Sequence, residues 1–171
     1  MKRIVIIGNS GSGKTFLARA LAVGSGIPVI HLDEIFWQPG GFNRKRLADE
    51  TDTMIHAAVA KDEWTAEGVF GNLAEKFLPR ATHLIWLDLS WDTCHAGLLE
   101  RGSESSRQQD PAKAEENFQK LLTWAAAYQD REGDCSQAGH LRIFEIFSGT
   151  KTRITERDEI DLAIESGFPL W

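Results

Sequence analysis

One eight-residue segment constrains the fold of this chain more than any other. Residues 8–15 read Gly-Asn-Ser-Gly-Ser-Gly-Lys-Thr and satisfy the pattern G-x-x-x-x-G-K-[ST] in full. An apolar run at 4–7 precedes the segment and an amphipathic helical pattern follows it, which is the strand, loop and helix context that the pattern requires. Its glycines allow successive N–H groups to face one anion, and the helix N-terminus adds partial positive charge. The segment therefore predicts a nucleoside triphosphate site.

The predicted site comprises eight residues: Gly8, Asn9, Ser10, Gly11, Ser12, Gly13, Lys14 and Thr15. We expect Lys14 to reach the β- and γ-phosphates as a point charge and the Thr15 hydroxyl to ligate Mg²⁺. ATP and Mg²⁺ are thus the predicted cofactors.

Apolar, β-branched runs alternate with helical patterns along the chain. We predict strands at 3–7, 28–32, 64–70, 83–89 and 141–147. Strands that alternate with helices favour a parallel sheet covered by helices on both faces. The prediction is therefore an α/β protein with three layers, α/β/α.

Size and charge narrow the class of protein further. The 171 residues suit one domain, 1–171, and 25 acidic against 19 basic residues give a net charge of −6. This balance disfavours direct nucleic acid binding, which uses a surplus of Lys and Arg. The apolar runs are too short to cross a membrane, and Cys94 and Cys135 are isolated in sequence. A soluble, cytoplasmic protein with reduced thiols is expected, and its oligomeric state stays open.

Acidic residues close to predicted strand ends are candidate catalytic and metal-binding groups, because ligands of open α/β sheets bind at that edge. Asp33 is placed to act on the acceptor hydroxyl as a base or to assist Mg²⁺; a structural helix cap is the alternative. Glu67 and Asp88 compete for the role of the carboxylate that holds Mg²⁺. His31 and Asp33 alternate on one strand, but two ligands are weak support for a metal site.

Five segments together resemble one family of enzymes. They are residues 8–15, His-Leu-Asp at 31–33, Phe-Trp-Gln-Pro-Gly at 36–40, Glu-Gly at 67–68 and Leu-Asp at 87–88. In this combination the chain is similar to the adenylate-kinase-like P-loop kinases, and most similar to the branch of small topology modulation or adenylate-kinase-related proteins. The likeness covers about the first 90 residues well, as the quoted segments show.

The resemblance implies a P-loop NTPase sandwich with a five-stranded parallel sheet in the order 2-3-1-4-5. It also implies an acceptor-binding segment at about 34–61, a short helical lid at about 101–140, and a loop at 148–152 that holds the adenine. Arg101 and Arg107 fall where lid arginines would neutralise the transferring phosphoryl group, although either could instead be a solvated surface arginine.

One departure from the family's pattern concerns the acceptor. Related sequences often carry an arginine where this chain has Asn72, and a dianionic phosphate needs fixed cations. Arg44 and Arg46 could supply that charge or could be solvated. Phe36 and Trp37, with Phe42, could stack on an acceptor ring or pack in the core.

The sequence therefore predicts a phosphotransferase: an ATP-dependent kinase acting on a nucleotide or another small molecule. In this prediction Lys14, Asp33, Arg101 and Arg107 are catalytic, and Glu67 serves both acceptor and metal. The alternative is a regulatory ATPase of the topology modulation type that acts through a protein or DNA partner.

Overall fold

The computed structural model describes residues 1–23, 25–40, 44–103 and 110–165. Arg107 and Phe42, singled out from the sequence, lie outside these ranges. The described residues form five strands: β1 (Arg3–Gly8), β2 (Val29–His31), β3 (Trp64–Gly68), β4 (His83–Leu87) and β5 (Thr150–Ile154). The α-helices are α1 (Lys14–Ala22), α2 (Leu32–Phe36), α3 (Ala48–Val59), α4 (Gly71–Glu75), α5 (Trp91–Arg101), α6 (Pro111–Ala126), α7 (Gln137–Ile146) and α8 (Arg157–Glu165). A 3₁₀ turn spans Leu78–Arg80.

The strands form one sheet in the order β2-β3-β1-β4-β5, and every described pairing is parallel. This confirms the predicted α/β class and the order 2-3-1-4-5. A parallel sheet needs helical crossovers, which cover both of its faces.

Alternation along β1 builds the two halves of the core. Val5 and Ile7 belong to one buried cluster, whereas Ile4 and Ile6 belong to the other. All four are almost fully buried. Burial on both faces explains why this central strand is a continuous apolar run.

The fifth strand was predicted in the wrong place. Residues 141–147 belong mostly to helix α7, which Ser136 caps by accepting a hydrogen bond from the Gly139 N–H at 3.0 Å. The true strand, Thr150–Ile154, lies at the sheet edge and buries only Ile154. An edge strand with solvated side chains has no apolar pattern to reveal it. The expected adenine loop at 148–152 is wrong for the same reason, because Thr150 already begins β5.

Side chains cap the first turns of two helices. Ser90 accepts a hydrogen bond from the Thr93 N–H at the start of α5, and Asp110 accepts one from the Lys113 N–H at the start of α6. Each satisfies an N–H that the first helical turn leaves unpaired. Within the described ranges, no helix has the length and apolar character needed to cross a membrane.

Candidate active site

The register of the sheet gathers the candidate residues at one edge. Ile6 pairs with Glu67 across β1 and β3, and His31 pairs with Glu67 across β2 and β3. Since the strands are parallel, the carboxyl ends of β1, β2 and β3 meet there, and residues 8–15 begin at the end of β1. The site therefore lies where ligands of open α/β sheets bind.

The backbone of the loop between β1 and α1 is shaped to receive an anion. Gly11 and Gly13 have φ values of 82° and 93°, a backbone conformation that residues with a Cβ seldom adopt. Gly13 is also the N-cap of α1, so the cap residue has no side chain that could satisfy the first N–H groups of this helix. Ser12 adds a buried hydroxyl with no hydrogen-bond partner among the described residues. These unsatisfied donors fit the phosphates of a nucleotide.

Asn9 and Ser10 hold the loop in place. The Asn9 amide donates to the carbonyl of Ala125 at 2.9 Å, and its Oδ1 accepts a hydrogen bond from the Ser10 N–H at 2.8 Å. Ala125 belongs to α6, inside the region predicted as the lid. The side chain of Asn9 thus connects the loop to that region.

The ammonium group of Lys14 lies inside the loop. Its Nζ donates to the carbonyl oxygen of Asn9 at 2.6 Å, and the side chain is buried. Burial lowers the pKa of Lys14, and the carboxylates of Glu67 and Asp33 oppose this shift. A desolvated cation between two acids is placed to exchange its carbonyl partner for a phosphate oxygen.

Glu67 joins Thr15 to His31. Its Oε1 accepts a hydrogen bond from the Thr15 hydroxyl at 3.0 Å and lies 2.6 Å from Nδ1 of His31. Burial alone would raise the pKa of Glu67, but the His31 hydrogen bond and the Lys14 charge outweigh it and hold this pKa below its usual value. The hydrogen bond to Glu67 in turn raises the pKa of His31. Glu67 is therefore an ionised carboxylate beside a hydroxyl.

Asp33 lies in the first turn of α2 instead of at a strand end, because the helix begins at Leu32. The residue is exposed, yet the surrounding protein removes part of the water around its carboxylate and so raises the pKa of Asp33. The Lys14 charge opposes this rise in pKa, and the Glu67 charge adds to it. A carboxylate with a raised pKa is suited to accept a proton.

Similarity to known proteins is confined to structure. No protein-family model matches the sequence, and no curated protein is significantly similar to it. A gluconokinase from Sinorhizobium meliloti 1021 is 15% identical, with a TM-score of 0.50 over 97% of this chain and 90% of that chain. A candidate kinase from Chloroflexus aurantiacus J-10-fl is 15% identical, with a TM-score of 0.53 over 98% of both chains. The chain has the fold of P-loop kinases. The finer topology modulation branch stays a prediction.

Within this P-loop kinase fold, Arg101 ends α5 with an exposed side chain. Its positive charge nevertheless lowers the pKa of both Lys14 and Asp33. The catalytic role of Arg101 stays a prediction.

Of the two arginines expected to neutralise an acceptor phosphate, Arg46 has its guanidinium engaged elsewhere. It donates to the carbonyls of Ile35, Glu34 and Trp37 at 3.2, 3.1 and 3.0 Å. Those bonds fasten the segment after α2, and the geometry gives no support to a phosphate contact. Arg44 is exposed.

The aromatic residues after Asp33 form a compact group. Phe36 stacks on Phe70 with ring centroids 4.1 Å apart, and Trp37 meets Phe36 edge to face at 4.7 Å. Both Phe36 and Trp37 are partly buried against the core. Of the two alternatives that the sequence left open, the structure shows packing on the core, and stacking on an acceptor ring stays a prediction.

Asp88 has a different environment from Glu67. Its carboxylate is buried and accepts hydrogen bonds from the guanidinium of Arg153 at 2.5 and 3.0 Å and from the Gln137 amide at 2.8 Å. Of the two competing carboxylates, the structure brings Glu67 to Thr15 and joins Asp88 to β5.

Sequence reasoning missed Arg157. This first residue of α8 places its guanidinium against Gly13, with Nη1 only 2.7 Å from the position a Cβ of Gly13 would take. The same group lies 5.6 Å from the ring centroid of Phe16, which is exposed. Arg157 is far from the loop in sequence, so no local motif could reveal it.

Proposed function

We propose that this protein is an ATP-dependent kinase that phosphorylates a hydroxyl group of a small molecule. The observation that carries the proposal is the contact between Thr15 and Glu67, with Lys14 buried in the same cluster. A glycine loop alone can be a simple turn. In this loop, however, the Thr15 hydroxyl and the Lys14 ammonium group lie with the Glu67 carboxylate, the combination of groups that phosphoryl transfer uses.

The proposed reaction needs few chemical groups. The acceptor oxygen attacks the γ-phosphorus of ATP, the bond from that phosphorus to the β,γ-bridging oxygen breaks, and ADP leaves. Asp33 takes the proton of the acceptor hydroxyl, which its raised pKa favours. Lys14 and Arg101 neutralise the charge that spreads over the phosphoryl oxygens.

The residues present fit Mg²⁺. Thr15 and Glu67 offer oxygen ligands, which this ion prefers, and it commonly uses one or two protein groups together with phosphates and water. The described ranges contain no group of three or more His, Cys, Asp or Glu that could form an all-protein metal cage. When bound, Mg²⁺ supplies charge neutralisation for the phosphates.

Arg157 is a further part of the proposed nucleotide site. Its guanidinium already lies against Gly13, where the phosphates are expected, and it contacts the exposed ring of Phe16. This pair is placed to contact the ATP molecule beyond its terminal phosphates. No specific observation favours the regulatory ATPase alternative.

Titration of the protein with ATP tests the nucleotide half of the proposal. Lys14→Ala should weaken ATP binding by about tenfold or more, because a charge-assisted hydrogen bond is lost. Lys113→Ala, at an exposed position on α6, is the matched control and should bind as the parent does. Unchanged affinity in Lys14→Ala would count against the site. Release of ADP above the basal rate, across hydroxylated metabolites and nucleotides, then tests transfer.

A further inference from the structure

A cavity of about 250 Å³ lies beside the proposed reaction centre. Three aromatic rings line it: Phe36 from α2, Phe70 before α4 and Trp124 from α6. Phe36 follows Asp33 by three residues on α2, a spacing that puts both on one helix face. Burial raises the pKa of Cys135, another lining residue, and the nearby Asp33 carboxylate adds to the shift. The cavity is therefore within reach of the proposed base.

Arg131 is the one cation lining this cavity within the described part of the chain. Its guanidinium stacks on Trp124 at 3.5 Å from the ring centroid. Its Nε and Nη2 donate to the carbonyl of Cys135, and its Nη1 donates to the carbonyl of Trp124. A guanidinium has five N–H donors, so two remain for a ligand.

No carboxylate in the described ranges forms an ion pair with Arg131. Among its neighbours on the cavity wall, Asp134 pairs with Arg142 at 3.4 Å, and Glu132 is exposed to solvent. The side chain of Arg131 is half-buried, and burial lowers its pKa. A partly desolvated cation without an anionic partner is costly for the protein, and an anionic ligand would offset that cost.

Hydrogen bonds tie the segment that carries Arg131 to the segment that carries Phe70. Tyr128, three residues before Arg131, shares a buried hydrogen bond of 2.6 Å with Nδ1 of His140. Nε2 of His140 lies 3.0 Å from the carbonyl oxygen of Val69, just before the cavity residue Phe70. Because a carbonyl only accepts, Nε2 carries the proton and the Tyr128 hydroxyl donates to Nδ1. The cavity is thus formed before any ligand arrives.

We propose that the phosphoryl acceptor is a small ring compound that carries a carboxylate besides the reacting hydroxyl, and that Arg131 binds the carboxylate. The inference rests on the proposed kinase function. The aromatic walls suit a ring, and the cavity is smaller than the roughly 300 to 1,000 Å³ usual for larger ligands. A single guanidinium matches a carboxylate, whereas a dianionic phosphate needs more fixed cations, and Asn72 supplies none.

Benzoate, benzamide and phenyl phosphate test this inference by calorimetric titration of the whole protein. Benzoate and benzamide have nearly the same shape and differ in charge. Benzoate should bind about tenfold more tightly, the size of one charge-assisted hydrogen bond, and phenyl phosphate should bind no more tightly than benzoate. Equal affinities, no saturable binding of benzoate, or a preference for phenyl phosphate would each overturn the assignment.

The variant Arg131→Met should abolish the preference for benzoate over benzamide while ATP affinity is retained. Arg19→Met, which removes an exposed arginine of α1, is the matched control and should keep the preference. A preference that survives in Arg131→Met would overturn the role of this residue. If that variant does not fold, the comparison of the three probes on the parent protein still decides. The ATP titration with Lys14→Ala tests the proposed kinase function separately. If that test fails, the benzoate and benzamide measurements still decide whether Arg131 binds a carboxylate.

Discussion

Glu67 and Thr15 are 52 positions apart in the chain, yet their side chains meet at 3.0 Å between Oε1 and Oγ1. The pairing of β1 with β3 creates this contact, because it places Ile7 beside Gly68 and so sets Glu67 near the end of the strand that precedes the loop.

We expect Glu67→Gln to raise the Mg²⁺ concentration needed for ATP binding by about tenfold or more, as loss of a group that supports a metal ligand typically does. Titration with Mg²⁺ at fixed ATP measures the change. Asp88→Asn is the control, because Asp88 pairs with Arg153 away from Thr15. It should lower stability and leave the Mg²⁺ requirement unaltered. An unchanged requirement in Glu67→Gln would mean that this carboxylate does not serve the metal.

The His31 and Glu67 pair predicts a pH-dependent contribution to folding. The pKa of His31 is raised above 6.5, so its share of the stability is complete below pH 6.5 and is lost as pH rises through the raised value. The pKa of Glu67 is lowered below 4.5, so its share is complete above pH 4.5 and is lost on acidification. The pair therefore stabilises most between pH 4.5 and 6.5.

Urea unfolding of the parent protein and of His31→Asn measures this effect. The difference in unfolding free energy should be about 1 kcal/mol near pH 5.5 and should shrink towards about pH 9. Thr123→Asn, at an exposed position on α6 that carries no ionisable group, is the control and should show no such trend. A difference that stays constant with pH would exclude the charged pair.

Gly97→Ala should destabilise the protein although alanine favours helices. Gly97 lies within α5, where alanine would contribute about 1 kcal/mol of helix stability. A Cβ at this position would, however, lie only 2.5 Å from the carbonyl oxygen of Gly11 in the phosphate loop. We expect a net loss of about 2 kcal/mol and weaker ATP binding, because the loop must shift. Thermal unfolding checks this, with Glu100→Ala as an exposed control on the same helix. A higher melting temperature in Gly97→Ala would show that the contact is absent.

Asp33→Asn should lower kcat by about two to four orders of magnitude, the usual contribution of a general base, with little change in ATP affinity. Because the pKa of Asp33 is raised above 3.8, the rate of the parent should fall as pH drops through that raised value. The variant should lack this acidic limb. Glu34→Gln, at the exposed neighbouring position, should keep it. Both are measured as steady-state ADP release with the acceptor, and a normal kcat in Asp33→Asn would refute the assignment.

Local patterns are enough to predict the glycine loop and the elements on either side of it. Residues 8–15 form the glycine loop that the motif indicates, between the strand and the helix expected on either side. This succeeds because glycine conformation, helix start and lysine position are all set within a few residues of one another. The sheet order was also correct, although it came from the resemblance and not from the residues themselves.

Tertiary packing decided what depends on distant partners. Strand β5 became visible only through its pairing with β4, since its side chains are mostly solvated. The same strand brings Arg153 to Asp88 and so separates Asp88 from Glu67. Arg131 lines the cavity and Arg157 lies against Gly13, and both belong to segments without a motif. By itself the sequence determined a phosphate loop and the alternating α/β pattern, because these depend on near neighbours. The folded chain decided which acid meets Thr15 and which cation lines the cavity, because such contacts form between residues that only the sheet brings together.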